Sequence, residues 1–206
     1  MKICGLTDPS EAAACARMGA WAVGVVLSPG SPRTIDTATA AAVLRGVSAS
    51  VARVGVFVAP TAAELAAAVA ACSLTHLQLH GGADVAAAKR ATGLPVIEGI
   101  RVDGPAALER ARASVADLVL LDAAVPGRHG GTGRPFDWSL IEREPLGRPF
   151  ALAGGLTPET VAEAVRRLRP VAVDVSSGVE RAPGRKDAAR VLRFIEAVAG
   201  AAGPAA

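Results

Sequence analysis

Short apolar runs typical of β-strands alternate with Ala-rich runs typical of helices along almost the whole chain. The apolar runs are nearly continuous and do not alternate with polar residues, as expected of parallel strands that helices cover. Eight such runs fall within the 206 residues, at 1–4, 21–27, 51–58, 75–80, 95–102, 117–122, 149–154 and 171–176. This pattern predicts an α/β fold, a single (βα)8 TIM barrel at the low end of its size range.

The main alternative from the pattern alone is a doubly wound open sheet. Polar and Gly-rich segments cluster after the strands, where the C-terminal face of a barrel would lie, and this favours the barrel. No linker or charge tract divides the chain, so residues 1–206 are expected to form one domain. The last residues, from about 201 to 206, are expected to fray.

Capping residues predict where several helices begin. Asp8 followed by Pro9 marks an N-cap and a first turn, and Asp36 is the expected cap of the second helix. The helix between the last two strands is expected to open at the Thr-Pro-Glu sequence of 157–159. The final helix is expected to start from about Lys186.

Composition excludes several classes of function. Apolar stretches are broken by Gly, Pro, Arg or Asp before they reach the roughly 20 residues of a membrane span, and the sequence MKICGLTDPSE lacks the apolar region of a signal peptide. We therefore expect a cytoplasmic protein with no membrane partner. Net charge is only +3 and aromatic residues make up 3%, so nucleic-acid binding has little support.

The cysteines and histidines do not form a metal-binding pattern. Cys4, Cys15 and Cys72 include no CxxC pair, and they are expected to be reduced in the cytosol. The three histidines have no spacing that makes a metal set with each other or with nearby acids. Neither a metal nor another cofactor is expected. Cys15 and Cys72 fall in helical segments and are interpreted as packing residues.

Two Gly-rich loops follow the last two strands. Gly154 and Gly155 follow the seventh, and Ser176 and Gly178 follow the eighth. Glycine lets backbone N–H groups approach a ligand, and these two loops are the usual phosphate site of a (βα)8 barrel. A tight turn would explain one such pair, but two adjacent ones favour phosphate binding. The Gly-rich segment 130–133 is a further candidate to cover the same group.

Cys4 and Asp122 end apolar strands at the expected catalytic face. Asp122 is either a structural cap or an active-site acid whose pKa burial raises. A thiol acts as a base only where positive charge or a helix N-terminus lowers its pKa, and the helix near Asp8 is a candidate for that role.

Other polar side chains near that face have two interpretations each. Arg33 lies in a Pro-rich loop, and it is either solvated or clamps a carboxylate in bidentate fashion. His80 ends the fourth strand as a pocket-lining or capping residue. Lys2, Lys89 and Lys186 are not in the C-terminal half of a central strand, and this argues against a Schiff-base aldolase.

Several motifs in this order resemble the phosphoribosylanthranilate isomerase family, and they span almost the full chain. They are KICGLTDP (2–9), SPGSPRTI (28–35), VGVFV (54–58), LQLHG (77–81), LLD (120–122), GGTGRPFDW (130–138), LAGGLTPETV (152–161), DVSSGVE (174–180) and PGRKD (183–187). The chain departs from the family pattern around Trp21 and Val25-Val26, where we expect effects on packing more than on chemistry.

The resemblance implies a cofactor-free (βα)8 barrel that rearranges a small phosphorylated aminosugar, N-(5-phosphoribosyl)anthranilate, in tryptophan biosynthesis. It implies Cys4 as general base, Asp122 as general acid and Arg33 as the partner of the anthranilate carboxylate. The remaining motif positions imply a phosphate site at Gly154, Gly155, Ser176 and Gly178, and pocket residues at Gln78, His80 and Asp174. The protein is expected to be a monomer or a homodimer.

Three other functions fit parts of the pattern. A pentose-phosphate epimerase would need His and Asp metal ligands on its strands, and an indole-glycerol-phosphate synthase relative would need a strand lysine and a longer N-terminal extension. A non-catalytic phosphate-binding barrel would need neither Cys4 nor Asp122.

Overall fold

The computed structural model describes residues 1–122 and 138–201. Its parallel strands β1 to β8 close into a barrel in chain order, and this confirms the (βα)8 prediction over an open sheet. The strands are β1 (Lys2–Ile3), β2 (Ala22–Val26), β3 (Ala52–Val58), β4 (His76–His80), β5 (Val96–Arg101), β6 (Leu118–Asp122), β7 (Phe150–Ala153) and β8 (Ala172–Val175).

Helices follow the strands on the outside of the barrel. They are α1 (Pro9–Arg17), α2 (Thr37–Arg45), α3 (Ala62–Cys72), α4 (Val85–Thr92), α5 (Pro105–Ala113), α6 (Ser139–Arg143), α7 (Val161–Leu168) and α8 (Ala188–Ala201). Between β8 and α8 the chain adds a 3-10 turn (Ser177–Val179) and a small antiparallel hairpin of β9 (Glu180–Ala182) and β10 (Arg185–Lys186).

The predicted caps of the first two helices are confirmed. The Asp8 carboxylate accepts from the N–H groups of Ser10 and Glu11, with Pro9 at the start of the helix. The Asp36 carboxylate accepts from the Thr39 N–H. These bonds satisfy backbone donors that have no partner within the helix.

Two predicted helix starts are wrong by a few residues. α7 begins at Val161. Residues 157–160 form a turn before it, because the N–H of Thr157 donates to the Thr160 hydroxyl. α8 begins at Ala188, because Lys186 belongs to β10 and pairs with β9.

The core has two parts, one between the barrel and its helices and one inside the barrel. The inner cluster consists mainly of Ala22, Val54, Ile97, Leu120, Ala151 and Ala153. Several of these side chains are small, and the barrel also encloses Lys2, Gln78 and Asp174, which are buried although they are polar. Polar groups therefore occupy the middle of the barrel, below its catalytic end.

Some expectations concern residues that the structure does not describe. The Gly-rich segment 130–133, His129 and nearly all of the tail expected to fray lie outside the described residues. Among the described helices, none combines the length and apolar character needed to cross a membrane.

Candidate active site

Cys4 lies directly after β1, at the C-terminal end of the barrel. Its N–H donates to the carbonyl oxygen of Val175 at 2.8 Å, which aligns this residue with the end of β8. Its buried side chain packs over Gly24 of β2, where an added Cβ would lie 3.0 Å from Sγ. A larger residue at position 24 would displace the thiol, so glycine is needed there for packing.

Lys2 lies below Cys4 on the same side of β1, because residues two apart in a strand face the same way. Its Nζ is 2.9 Å from Oδ1 of Asp174, and the lysine is 2% exposed. The same Nζ would lie 3.2 Å from a Cβ on Gly24. Ammonium and thiol therefore share the space over one glycine. The alternation of Lys2 and Cys4 in the sequence was the signal that could have placed this lysine inside the barrel.

The electrostatics of Cys4 differ from the sequence expectation. Burial raises the pKa of its thiol, and the positive charges of Lys2 and Lys186 oppose that rise, while Asp174 adds to it. The net direction is upward, so the pKa of Cys4 is not lowered overall, and the helix after Asp8, the candidate source of positive charge, is not among the causes. The positive charge comes from two buried lysines, Lys2 in the barrel and Lys186 in the hairpin after β8.

Asp122 ends β6, across the barrel mouth from Cys4, with β7 and β8 between their strands. Burial raises the pKa of its carboxyl group, and the negative charge of Asp174 raises it further, against the opposing effect of Arg101. The group therefore keeps its proton to a higher pH than an exposed aspartate, as a general acid requires.

Gln78 and His80 line the barrel on β4. The Gln78 amide nitrogen donates to Nε2 of His80 at 2.9 Å. Burial lowers the pKa of His80, and the Lys2 charge lowers it further, so its ring is neutral near pH 7. The imidazole lies over Gly99, where a Cβ would overlap it. Oε1 of Gln78 is buried and has no hydrogen-bond partner among the described residues, so it remains available to a ligand.

Arg33 is held at the barrel mouth and is not a solvated loop residue. Its Nε and Nη2 donate to the two carboxylate oxygens of Glu180 at 2.8 and 2.6 Å. Its aliphatic stem crosses over Gly5, where a side chain would overlap it. Gly5 has φ +72°, so glycine suits this position for both conformation and space.

Glu180 joins Arg33 to a second buried cation. Nζ of Lys186 lies 2.7 Å from Oε1 of Glu180 and donates to the Ser176 carbonyl oxygen at 3.2 Å. Burial raises the pKa of the Glu180 carboxyl group, but Arg33 and Lys186 outweigh that effect and the net direction is downward. Sequence reasoning gave neither Glu180 nor Lys186 a role, although both stand in the motifs at 174–180 and 183–187.

The two Gly-rich loops expected to bind phosphate lie side by side. Gly154 and Gly155 have φ values of +89° and +66°. A Cβ on Gly155 would meet no described atom within 4 Å, so this residue faces open space. Gly178 packs so closely on the Leu156 backbone that a Cβ would overlap the carbonyl oxygen. Ser176 adjoins Gly5, with its Oγ 2.8 Å from the position of a Cβ there.

The predicted site residues that lie within the described ranges come together at the C-terminal end or the interior of one barrel. Within residues 1–122 and 138–201, no group of three His, Cys, Asp or Glu side chains is arranged to hold a metal ion. What the described part of the site offers is a thiol, a carboxylic acid, buried cations and two Gly-rich loops.

Comparison with known proteins identifies the family of this site. The sequence profile described as N-(5'phosphoribosyl)anthranilate (PRA) isomerase matches residues 1–197. The chain belongs to the PRA isomerase family. The curated N-(5'-phosphoribosyl)anthranilate isomerase of Acidithiobacillus ferrooxidans is 45% identical over 202 residues, which cover 97% of this chain and 97% of that relative.

Solved PRA isomerases have the same fold. The crystal structure of phosphoribosyl anthranilate isomerase from Thermotoga maritima matches with a TM-score of 0.89 and 37% identity, over 97% of this chain and 98% of that one. A second PRA isomerase structure, in complex with reduced 1-(o-carboxyphenylamino)-1-deoxyribulose 5-phosphate, matches with a TM-score of 0.85 and 35% identity, over 97% of each chain.

Membership of the PRA isomerase family confirms the resemblance seen in the motifs. The chain is an enzyme, an isomerase of tryptophan biosynthesis. The epimerase, the synthase relative and the non-catalytic barrel are therefore set aside.

Proposed function

We propose that Cys4 and Asp122 are the general base and the general acid of an Amadori rearrangement. The substrate is N-(5'-phosphoribosyl)anthranilate, and the product is 1-(2-carboxyphenylamino)-1-deoxyribulose 5-phosphate. The observation that carries the proposal is the pairing across one barrel mouth of a carboxyl group with a raised pKa and a thiol that two lysines face. A sugar ring between them would present opposite sides to acid and base.

The reaction has four proton movements. Asp122 protonates the furanose ring oxygen, the C1–O bond breaks, and the anthranilate nitrogen forms an iminium with C1. The Cys4 thiolate then removes the proton from C2, and the electron pair of that C–H bond forms the C1–C2 double bond of an enolamine. The enolamine then tautomerises to the ketone: its C2 hydroxyl gives up a proton as the C2=O bond forms, and C1 gains a proton. No electrons enter or leave, so the rearrangement needs no redox partner.

Arg33 binds the anthranilate carboxylate in this proposal. Because Glu180 takes the Nε and Nη2 side of the guanidinium, the substrate meets the end-on edge formed by Nη1 and the second Nη2 proton. A charge-assisted contact of this kind fixes the aromatic end of the substrate. Glu180 keeps the arginine side chain in one orientation before the substrate arrives.

The phosphate lies at Gly154, Gly155, Ser176 and Gly178 in this proposal. The open space at Gly155 and the close packing of Gly178 against the neighbouring loop support a preformed cradle. Gln78, His80 and Asp174 line the pocket below the sugar, and the unpaired Oε1 of Gln78 is the acceptor available to a sugar hydroxyl.

We propose one domain over residues 1–206, acting as a monomer or homodimer, which light scattering after size-exclusion chromatography would test. Catalysis by Cys4 needs a reduced thiol, and the cytoplasm provides that condition. The structure has Cys4, Cys15 and Cys72 as free thiols.

The deciding experiment is turnover of N-(5'-phosphoribosyl)anthranilate by the purified protein, followed by loss of substrate fluorescence. We expect turnover without added metal and with a chelator present. The Cys4→Ser/Asp122→Asn double variant, purified in the same way, controls for a contaminating isomerase. Equal turnover by the double variant, or none by the wild type, would overturn the proposal.

A further inference from the structure

The ion pair between Lys2 and Asp174 lies inside the barrel, where charges are costly. Its two atoms are 2.9 Å apart, and the residues are only 2% and 9% exposed. A buried ion pair gains little stability over a well-packed apolar pair, because both charges lose their hydration. Stability alone is therefore a poor explanation for this pair beside the apolar cluster inside the barrel.

The positive end of the pair faces Cys4. Lys2 and Cys4 project from the same side of β1, and both lie against Gly24, at 3.2 Å for Nζ and 3.0 Å for Sγ from a Cβ built there. The positive charge of the ammonium group lowers the pKa of the thiol against the effect of burial.

The negative end of the pair faces Asp122. Strands β6 and β7 pair Asp122 with Ala153, and β7 and β8 pair Leu152 with Val173. The next position on β8 after Val173 is Asp174, so it adjoins Ala153. Asp122 and Asp174 are therefore in register across β6, β7 and β8, with Ala153 at the matching position on the strand between them.

We propose, resting on the roles of Cys4 and Asp122 above, that the Lys2–Asp174 pair is a positioning pair that favours the Cys4 thiolate and the protonated Asp122 together. The reactive form needs both states at once, although a thiol ordinarily gives up its proton less readily than a carboxyl group. An ammonium beside the thiol and a carboxylate beside the acid each reduce that difference. One buried dipole thus acts on both catalytic groups.

The charges around the two groups agree with this orientation. Lys2 lowers the pKa of Cys4 against the effect of burial, and Asp174 adds to the raised pKa of Asp122. Asp174 also raises the pKa of Cys4, but less than Lys2 lowers it. Lys186 and Arg33 also face Cys4, and Glu180 binds both of them. His80, facing the pair from β4, is neutral near pH 7 because burial and Lys2 lower its pKa.

The chain is well suited to a direct titration of Cys4. It contains no tyrosine, so no phenolate absorbance overlaps the ultraviolet absorbance of a thiolate. Cys15→Ala and Cys72→Ser leave Cys4 as the single thiol of the full chain. The thiolate fraction is then measured against pH in this background, over the range in which circular dichroism shows a folded protein.

Lys2→Met removes the ammonium while keeping a similar shape. We expect the Cys4 titration to move upward by about one pH unit or more, which lowers the thiolate fraction at a fixed pH about tenfold. The matched control is Lys89→Met, which breaks an equally short pair with Asp117, at 2.9 Å, on the outside of the barrel. It should leave the titration of Cys4 unchanged.

Lys2→Met/Asp174→Asn removes both charges, so it remains informative if the single variant fails to fold. The Cys4 titration should again move upward, but by less than with Lys2→Met. The low-pH limb of the kcat/KM profile should move to lower pH, because the negative charge of Asp174 no longer raises the pKa of Asp122. KM should change less than kcat. A Cys4 titration that stays in place in the double variant would overturn the proposal. The titration needs no turnover, so a failure of Cys4 as the catalytic base would be seen separately, as activity retained by Cys4→Ser.

Discussion

Arg33 donates two short hydrogen bonds to Glu180, and only its end-on edge remains for a substrate. Arg33→Ala should therefore raise KM strongly and change kcat less, because the carboxylate contact is present in the bound substrate as well as in the transition state. A charge-assisted contact of this kind predicts an increase of about ten- to a hundredfold. Steady-state kinetics with N-(5'-phosphoribosyl)anthranilate measures it.

The control for Arg33 is Arg167→Ala. Arg167 also donates through two nitrogens to one carboxylate, that of Glu142, but this pair lies on the outside of the barrel. Its removal should leave KM unchanged. If Arg33→Ala had the same KM as the wild type, the anthranilate carboxylate would have to bind elsewhere.

Single residues differ in how far the sequence could predict their roles. Cys4, Asp122 and Arg33 could be chosen because each stands in a motif at the end of a strand. The role of Lys2 could not, because its ion-pair partner Asp174 lies 172 positions away and only barrel closure brings the two together. The pKa direction of Cys4 was misjudged for the same reason, since it depends on burial and on charges from distant strands.

At the level of elements, the loop after β7 and the 3-10 turn after β8 support each other through Gly178. Gly178→Ala would push a methyl group into the Leu156 carbonyl oxygen, and backbone cannot move aside as easily as a side chain. We expect lower stability, by about 1–3 kcal/mol as for overpacking in a core, together with a raised KM from the disturbed phosphate cradle. Urea unfolding and steady-state kinetics measure the two effects.

Gly200→Ala is the matched substitution. Gly200 lies in α8, where a Cβ meets no described atom within 4 Å. Alanine is the better helix former, so this variant should be as stable as the wild type or slightly more so, with unchanged kinetics. If Gly178→Ala behaved like Gly200→Ala, the two loops would not depend on each other.

The sequence predicted which elements exist better than where they begin. α1 and α2 begin where Asp8 and Asp36 indicated, because an aspartate cap acts locally. The start of α8 was misplaced because Lys186 pairs in a hairpin. The N–H of Lys186 donates to the carboxylate of Glu11, near the opposite end of the chain. Local propensity carries no information about such a partner.

At the scale of the whole molecule, the alternation of strands and helices predicted the barrel, and barrel closure brings acid and base to one mouth. A thiol ordinarily has a higher pKa than a carboxyl group, and burial raises the pKa of Cys4 further, so the reactive form with protonated Asp122 and ionised Cys4 is a minority species. Between the two pKa values its fraction is constant. Below that range Asp122 is already protonated while the thiolate fraction keeps falling, and above it Asp122 loses its proton without a further gain in thiolate.

We therefore expect kcat/KM to be flat between the pKa of Asp122 and the pKa of Cys4, and to fall on both sides. The acid limb should lie above the ordinary range of an aspartate, and the alkaline limb above that of a free cysteine. The measurement is kcat/KM over the pH range in which circular dichroism shows a folded protein. If the alkaline limb of kcat/KM already fell between about pH 7 and 8, it would lie at or below the ordinary range of a free thiol. That result would argue against Cys4 as the titrating base.

The most direct test is kcat for Cys4→Ser and Asp122→Asn, each beside the wild type and the control Cys15→Ser. Serine is far too weak an acid to form an alkoxide near neutral pH, and asparagine cannot donate a proton as an acid. Each variant should lose about 10²–10⁴-fold in kcat, the usual contribution of a positioned proton-transfer group, while KM changes little. Cys15 is buried in α1, and its replacement should cost stability at most. A kcat near the wild-type value in either Cys4→Ser or Asp122→Asn would contradict the assignment of that residue.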